Sequence, residues 1–309
     1  MVADRPYSQH LAWQAASTYL RTPRTDVREV RAAAWDGDRM VGLLGLQAPL
    51  LESTDTAIVF VEVLPSHRRR GVGSALLAHA EAAAVELSRS SLQGWAYAPV
   101  GAESAGTEFA AHHGFRVELE EGSKVLDLTQ GRERWADLAA EVAPHHVDHR
   151  LRTLWGPVPD ELVAGYCALN TAFMGEVPTG ETPVDLEQWD EARVREREAR
   201  AAKAGRRDLY TFALDRDGEV VALTELFVNT TAPHRAFQSG TLVMPAARGH
   251  RLGLAIKVAS LQALVESYPQ VEWILTENAD VNAAMNAVNE RLGFRVVERC
   301  VELRRAVGG

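Results

Sequence analysis

The sequence predicts an α/β fold made of two similar units in tandem, and three observations carry that prediction. The stretch Val63-Leu-Pro65-Ser-His-Arg68-Arg-Arg-Gly71-Val-Gly73 aligns without a gap with Val243-Met-Pro245-Ala-Ala-Arg248-Gly-His-Arg251-Leu-Gly253. Each copy follows an apolar strand-like run and opens a helix-like run. A Gly-Phe pair then recurs at matching places, Gly114-Phe115 and Gly293-Phe294. A period of about 180 residues is too long for a solenoid or propeller unit, so the repeat means two globular domains.

In the first copy, apolar runs at 31–35 and 40–47 flank Asp36-Gly37-Asp38, a turn signal that makes them a hairpin. Residues 57–64 give a third strand. The next segment, 73–87, places Leu76, Leu77, Ala80, Ala84 and Leu87 on one helical stripe. A strand at 93–98 follows, then a helix at 107–113 closed by Gly114 as its C-terminal cap. Two short strands, 116–119 and 125–128, close the unit. Residues 1–130 form the first domain on this reading, and 131–147 form a linker with one short helix near Trp135.

The second domain, 148–309, repeats the order with a fuller start. A strand at 150–155 precedes a helix that opens at Pro159, followed by Asp160 and Glu161, the preferred chemistry of a first turn. A highly charged helix spans 186–203. The hairpin 210–214 and 220–228 turns at Asp215-Arg-Asp-Gly218. Then come a strand at 237–244, a helix from 252, a strand at 271–275, a helix at 282–292, and strands at 295–297 and 301–303. The first copy has fewer residues before its hairpin, which predicts that it lacks an initial strand.

The 309 residues are 46% apolar and 24% charged, enough to bury a core in each half. A formal charge of −9 argues against a sequence-independent nucleic-acid binder. Only Cys167 and Cys300 are present, so neither a disulfide framework nor a Cys-rich zinc site is available, and no metal is expected. No run is long enough to cross a bilayer, and the start of the chain lacks the apolar segment of a signal peptide. These observations place the protein in the cytoplasm, with no membrane partner, as a monomer or homodimer.

The repeated loop has a physical reading of its own. Amides at a helix start point outward without intrahelical acceptors, and glycine lets them approach a phosphate closely. The donors in copy one are the amides from Arg69 through Arg70, Gly71, Val72 and Gly73 to Ser74, with Arg68 and Arg70 adding positive charge. In copy two they are Gly249, His250, Arg251, Leu252 and Gly253 after Arg248. Arg251 stands where copy one has Gly71, and its side chain either reaches a phosphate or points to solvent. A solvated basic turn is the bland alternative for both loops. Neither loop carries the Gly-Lys-Ser/Thr ending of a phosphate-loop hydrolase.

Arg68-x-x-Gly71-x-Gly73 after a strand carrying Val63-x-Pro65, with Gly-Phe further on, resembles the GNAT acyltransferase superfamily. The likeness covers essentially the whole chain as a tandem pair, a layout similar to mycothiol synthase and its actinobacterial relatives. It implies a mixed, partly splayed sheet with helices on both faces, and acetyl-CoA or another acyl-CoA as cosubstrate. It also implies that Val63 and Val243 sit where a splayed strand meets the pantetheine arm and the thioester. In that family a Tyr four residues before the Gly of Gly-Phe often protonates the departing thiolate. Ala110 and Asn289 occupy those places here, so the usual acid is missing. Asn282 stands where the family often contacts the cofactor or substrate, although capping its helix is the simpler reading and the two roles are compatible.

Acyl transfer to an amine needs a base and a donor for the developing oxyanion. Glu62, beside the thioester position of copy one, and Glu225, interrupting the apolar strand of copy two, are the candidate bases, and Asn289 joins them as a candidate catalytic residue. Glu225 shares its face with Leu223 and Phe227, an awkward place for an unpaired carboxylate. Asp190 or Glu196 on the charged helix could steer an amine, and His10, His67, His79, His112 and His113 read as surface or loop residues. The expectation is an N-acetyltransferase that moves an acyl group to a small-molecule amine by direct attack in a ternary complex, since neither Cys lies near a loop. Its second domain would be catalytic and its first would bind CoA structurally or allosterically, while the stricter glycine motif of the first domain favours the converse division. The alternative is a catalytically silent acyl-CoA-binding or sensing protein.

Overall fold

The structure is a computed structural model that describes residues 5–8, 13–176 and 185–308. The N-terminal copy runs α1 (Trp13–Arg21), β1 (Val27–Asp36), β2 (Arg39–Pro49), β3 (Thr56–Val63), α2 (Val72–Glu86), β4 (Ser91–Ala98), α3 (Ala105–His112) and β5 (Arg116–Asp127). Helix α4 (Glu133–Val142) bridges to β6 (Arg150–Trp155), α5 (Asp160–Glu176), α6 (Glu191–Lys203), β7 (Arg206–Leu214), β8 (Val220–Asn229) and β9 (Arg235–Val243). The chain ends with α7 (Leu252–Ser267), β10 (Trp273–Ala279), α8 (Ala283–Leu292) and β11 (Arg295–Ala306). Among the described residues the strands form one mixed sheet, ordered β1-β2-β3-β4-β11-β5-β10-β9-β8-β7-β6.

That order exchanges the last strands of the two copies. β11 lies between β4 and β5, and β5 pairs with β10 from Trp273↔Asp127 to Ala279↔Glu121. Each half therefore completes its sheet with a strand of the other, and backbone hydrogen bonds, not side chains alone, join the halves. The sequence placed two short strands at 116–119 and 125–128, and two more at 295–297 and 301–303. Each pair is one long strand in the structure. The polar stretch Glu120-Glu121-Gly122-Ser123-Lys124 reads locally as a turn, yet pairing on both sides holds it extended.

Helices cover the two faces. On one, α2 sets Leu76, Leu77, Ala80 and Ala84 against Leu44, Leu46 and Val59. Also on that face, α4 packs Trp135, Leu138 and Val142 beside Leu254, Leu261 and Phe294. Burial of these α4 side chains contributes about 1.5–3 kcal/mol for a Leu or Val, so the link between the copies is a docked helix. The opposite face of the C-terminal copy carries α5 and α6, which enclose Tyr166, Phe212, Leu223 and Leu242. The described part of the N-terminal copy opens with α1 and has no counterpart of β6. The charged helix expected from 186 starts only at Glu191, because Asp190 caps it by accepting the amide of Arg193 at 2.8 Å. Among the described residues no helix is long and apolar enough to cross a membrane.

Candidate active site

The two repeated loops share one backbone. After a short 3-10 turn, Arg68 (φ −67, ψ 159) and Arg248 (φ −69, ψ 160) are extended. Each donates its Nε to the carbonyl that ends its strand, Val63 or Val243, at 3.2 Å. Two left-handed residues follow in each copy: Arg69 (φ 59) and Gly71 (φ 80), against Gly249 (φ 90) and Arg251 (φ 52). Each copy thus has one glycine, at opposite places, and the departure at Arg251 leaves the backbone path intact. A left-handed L-residue costs about 1–2 kcal/mol, which suggests a loop shape held for a purpose.

Helices α2 and α7 start without a side-chain cap. The first helical amides to find acceptors are those of Ala75 and Ala255, so Val72, Gly73 and Ser74, and Leu252, Gly253 and Leu254, offer free N–H groups to an anion. The guanidinium of Arg251 is taken by Glu141 of α4, which also holds Arg291. Arg69 pairs with Glu108 at 2.6 Å, Arg70 is exposed, and His250 meets the carbonyl of His145 at 3.3 Å. His113, expected at the surface, bonds Ser74 at 3.0 Å, and burial holds its pKa down. His67 lies 3.3 Å from Asp36, and His10 lies outside the described residues.

Beyond each loop strand the sheet opens. β3 and β4 pair in parallel only from Thr56↔Ser91 to Ile58↔Gln93, then diverge while β3 continues to Val63. β9 and β10 pair from Arg235↔Trp273 to Phe237↔Leu275 and diverge in the same way. In β9 alone a bulge follows, because Thr224↔Thr241 gives way to Leu226↔Gln238 and leaves Ser239 and Gly240 opposite Glu225. β2 and β3 run in unbroken register. The copies therefore differ at the place where an acyl group would lie.

That bulge floors a cavity of about 620 Å³ whose walls include Asn170 and Phe173 of α5, Trp189, Arg197 and Arg200 of or near α6, and Arg24 from the N-terminal copy. A Cβ on Gly240 would come within 3.1 Å of Phe173, so glycine keeps this space open. Glu225 also lines it, at 4% exposure. Tyr166 donates to its Oε1 at 2.5 Å and Arg197 to its Oε2 at 2.7 Å, so the awkward carboxylate has both oxygens occupied. Burial alone would raise its pKa, but the charge and hydrogen bonds of Arg197 and the Tyr166 hydroxyl hold it below the usual range.

The other candidates are dispersed. Glu62 is exposed on β3, on the face of Phe60. Asn282 caps α8 by accepting the amide of Met285 at 3.1 Å. Asn289 is buried in a polar chain the sequence did not reveal: Lys257 donates to its Oδ1 at 2.9 Å, and its own amide donates to Asn278 at 2.9 Å, which also accepts from Lys124 at 3.0 Å. Burial, aided by Lys124, pushes fully enclosed Lys257 down to about 7. Cys167 packs in the α5 core, while Cys300 lies with Glu121 and Glu277 where the exchanged strands meet, their ligand atoms within 4.8 Å of one another. Burial, then the charges of Glu277 and Glu302, raises Glu121 to about 7.

Each copy thus sets an uncapped helix start beside a strand that parts from its parallel neighbour. Residues 3–115 match the model of the acetyltransferase (GNAT) family. The whole chain is similar to a tandem GNAT protein from the clavulanic acid biosynthesis pathway, solved without acetyl-CoA. The two are 28% identical over 100% of this chain and 92% of that one, with a TM-score of 0.83. The fold is shared with a GCN5-related N-acetyltransferase from Sphaerobacter thermophilus, 15% identical over 88% of this chain and 79% of that one, TM-score 0.59. It is shared too with a glucosamine N-acetyltransferase region of a fungal multi-domain β-N-acetylglucosaminidase, 13% identical over 98% and 36%, TM-score 0.65. No curated protein sequence matches the chain. The chain has the tandem GNAT fold, with the family's own signature in its N-terminal part.

Proposed function

We propose an acyl-CoA-dependent N-acyltransferase in which transfer to a small-molecule amine takes place in the C-terminal copy. The observation that carries this reading is the β9 bulge at Ser239 and Gly240: it meets both the parting of β9 from β10 and the cavity under α5 and α6. The amides of Leu252 to Leu254 would hold the diphosphate, and the unpaired edge of β9 beyond Phe237 would receive the pantetheine arm. The acceptor nitrogen attacks the thioester carbonyl, the carbon–sulfur bond breaks, and the departing thiolate takes up a proton while the amine gives one to solvent. A carboxylate held ionised by Arg197 is a weak base, so Glu225 is assigned to fixing the charge of the cavity floor. The N-terminal copy, residues 1–130, would bind a second acyl-CoA at Val72 to Ser74 and serve chiefly to hold the shared sheet.

A second reading, an acyl-CoA-binding protein without turnover, draws on the absence of the acid: Ala110 has no polar group and Asn289 is committed to Lys257. Free-thiol release from acetyl-CoA with a panel of primary amines separates them. Amine-dependent release that Gly240→Val abolishes, with CoA binding retained, supports transfer at the bulge. Saturable CoA binding with no release on any amine supports the silent reading.

A further inference from the structure

Five arginines line the cavity: Arg24, Arg193, Arg197, Arg200 and Arg206. Four are neutralised. Arg24 pairs with Asp26 at 2.5 Å, Arg193 with Glu52 at 2.9 Å, Arg197 with Glu225 at 2.7 Å and Arg206 with Asp208 at 2.5 Å. Among the described residues the Arg200 guanidinium has neither a hydrogen bond nor an ion pair, and it lies over the Tyr19 ring, 5.9 Å from guanidinium carbon to ring centroid. Glu196, one turn earlier on α6, directs its carboxylate instead to the Thr25 hydroxyl at 2.8 and 3.0 Å. Arg200 is half-buried, and burial together with the charge of Arg24 lowers its pKa, an effect that Tyr19 and the carboxylates of Asp26 and Glu196 offset only in part. A guanidinium does not relieve such a position by losing its proton, so an anion from outside is the remaining remedy.

We propose that Arg200 anchors a carboxylate of the acceptor, so that the amine taken by this cavity is an amino acid or a compound of that type. The proposal rests on the reading of the cavity as the acceptor site. A planar guanidinium matches a carboxylate through two parallel hydrogen bonds. The same walls carry Asp26, Glu187, Asp190 and Glu196, which accommodate one negative charge beside Arg200 but repel a phosphate dianion. The carboxylate at Arg200 and the nitrogen at the Ser239–Gly240 bulge would lie in one chamber, of a volume suited to a small metabolite.

The test uses the full chain, Arg200→Ala and Arg200→Lys, with acetyl-CoA and matched pairs of an α-amino acid and its primary amide. In wild type the ratio of kcat/KM, acid over amide, is expected to be at least tenfold. It falls to near one in Arg200→Ala and is kept in part by Arg200→Lys. A wild-type ratio near one, a ratio unchanged in Arg200→Ala, or a preference for a phosphorylated amine overturns the proposal. If no amine of either kind is acetylated, the functional reading fails on its own, and calorimetry with N-acetyl amino acids and their amides decides the anchor. Tenfold tighter binding of the acid, lost in Arg200→Ala, supports it, and equal binding overturns it. Among the described residues the Arg200 guanidinium makes no hydrogen bond or ion pair, and an unchanged melting temperature in Arg200→Ala verifies that the variant is folded.

Discussion

Replacing Glu225 by Gln strands the Arg197 guanidinium beneath α6 with no counter-charge, and the cost follows from the geometry. The carboxylate is 4% exposed and receives Arg197 at 2.7 Å and Tyr166 at 2.5 Å. Removing one partner of such a pair costs about 3–5 kcal/mol, because the other charge stays buried. In a chain of this size that lowers the melting temperature by roughly 6–15 °C. Arg197→Met should cost as much, and the double variant Glu225→Gln, Arg197→Met should regain most of the loss, since no charge is then left uncompensated. The pair also sets a pH dependence. The folded carboxyl titrates below its unfolded value of 4.5, so its contribution is present above about that pH and is lost as pH falls through the folded value. Scanning fluorimetry of the four proteins at pH 7 and pH 4 reads all of this. Single variants that melt within 2 °C of wild type, or a double variant whose loss equals the sum, would refute the reasoning.

Other residues give separate outcomes. Glu121 is raised to about 7 from 4.5, so between these values the unfolded chain releases a proton that the folded chain keeps, and stability falls as pH rises. Glu121→Gln should therefore match wild type at pH 4 and exceed it at pH 8 by about 1–3 kcal/mol, and a gap that does not grow with pH contradicts this. Lys257 has the opposite sign: its folded value is about 7 against 10.5 unfolded, so wild-type stability gains from Lys257 as pH rises from about 7 to 10.5. Lys257→Met should flatten that rise in melting curves. Arg251→Gly removes a left-handed arginine and one exposed ion pair, opposing effects of about 1 kcal/mol each. Stability should hardly move, and CoA affinity should stay within about twofold if backbone amides bind the diphosphate; a tenfold loss by calorimetry would make the guanidinium a phosphate ligand.

The repeat made the local architecture legible. Two aligned loops, the glycines that close α3 and α8, and the Asp-Gly turns all rest on interactions within a few residues, which a sequence displays directly. The exchange of β5 and β11 does not, because strand neighbours are chosen by contacts across half the chain. For the same reason 116–128 and 295–306 read as broken strands: their polar middles are held by partners no local pattern announces. Glu225 was recognisable as anomalous on an apolar strand, but its partners Tyr166 and Arg197 sit on helices α5 and α6, at 59 and 28 residues' separation. Lys257 looked like an ordinary position on an apolar helix. One signal was available: Leu254, Ala255, Ile256, Val258, Ala259, Leu261, Ala263 and Leu264 leave α7 apolar nearly all round, the pattern of a helix buried on most sides. The swapped glycine at Gly249 was visible too: each loop carries the left-handed cost at one arginine, Arg69 or Arg251, and avoids it with glycine at the other position.

A crystal structure of the full chain with acetyl-CoA tests the central claim most directly. The account predicts a diphosphate within hydrogen-bonding distance of the amides of Leu252, Gly253 and Leu254, and an acetyl thioester beside Ser239 and Gly240 that opens into the Glu225 cavity. Acetyl-CoA held only at the α2 start, or held at α7 with its acetyl group directed away from that cavity, would contradict it.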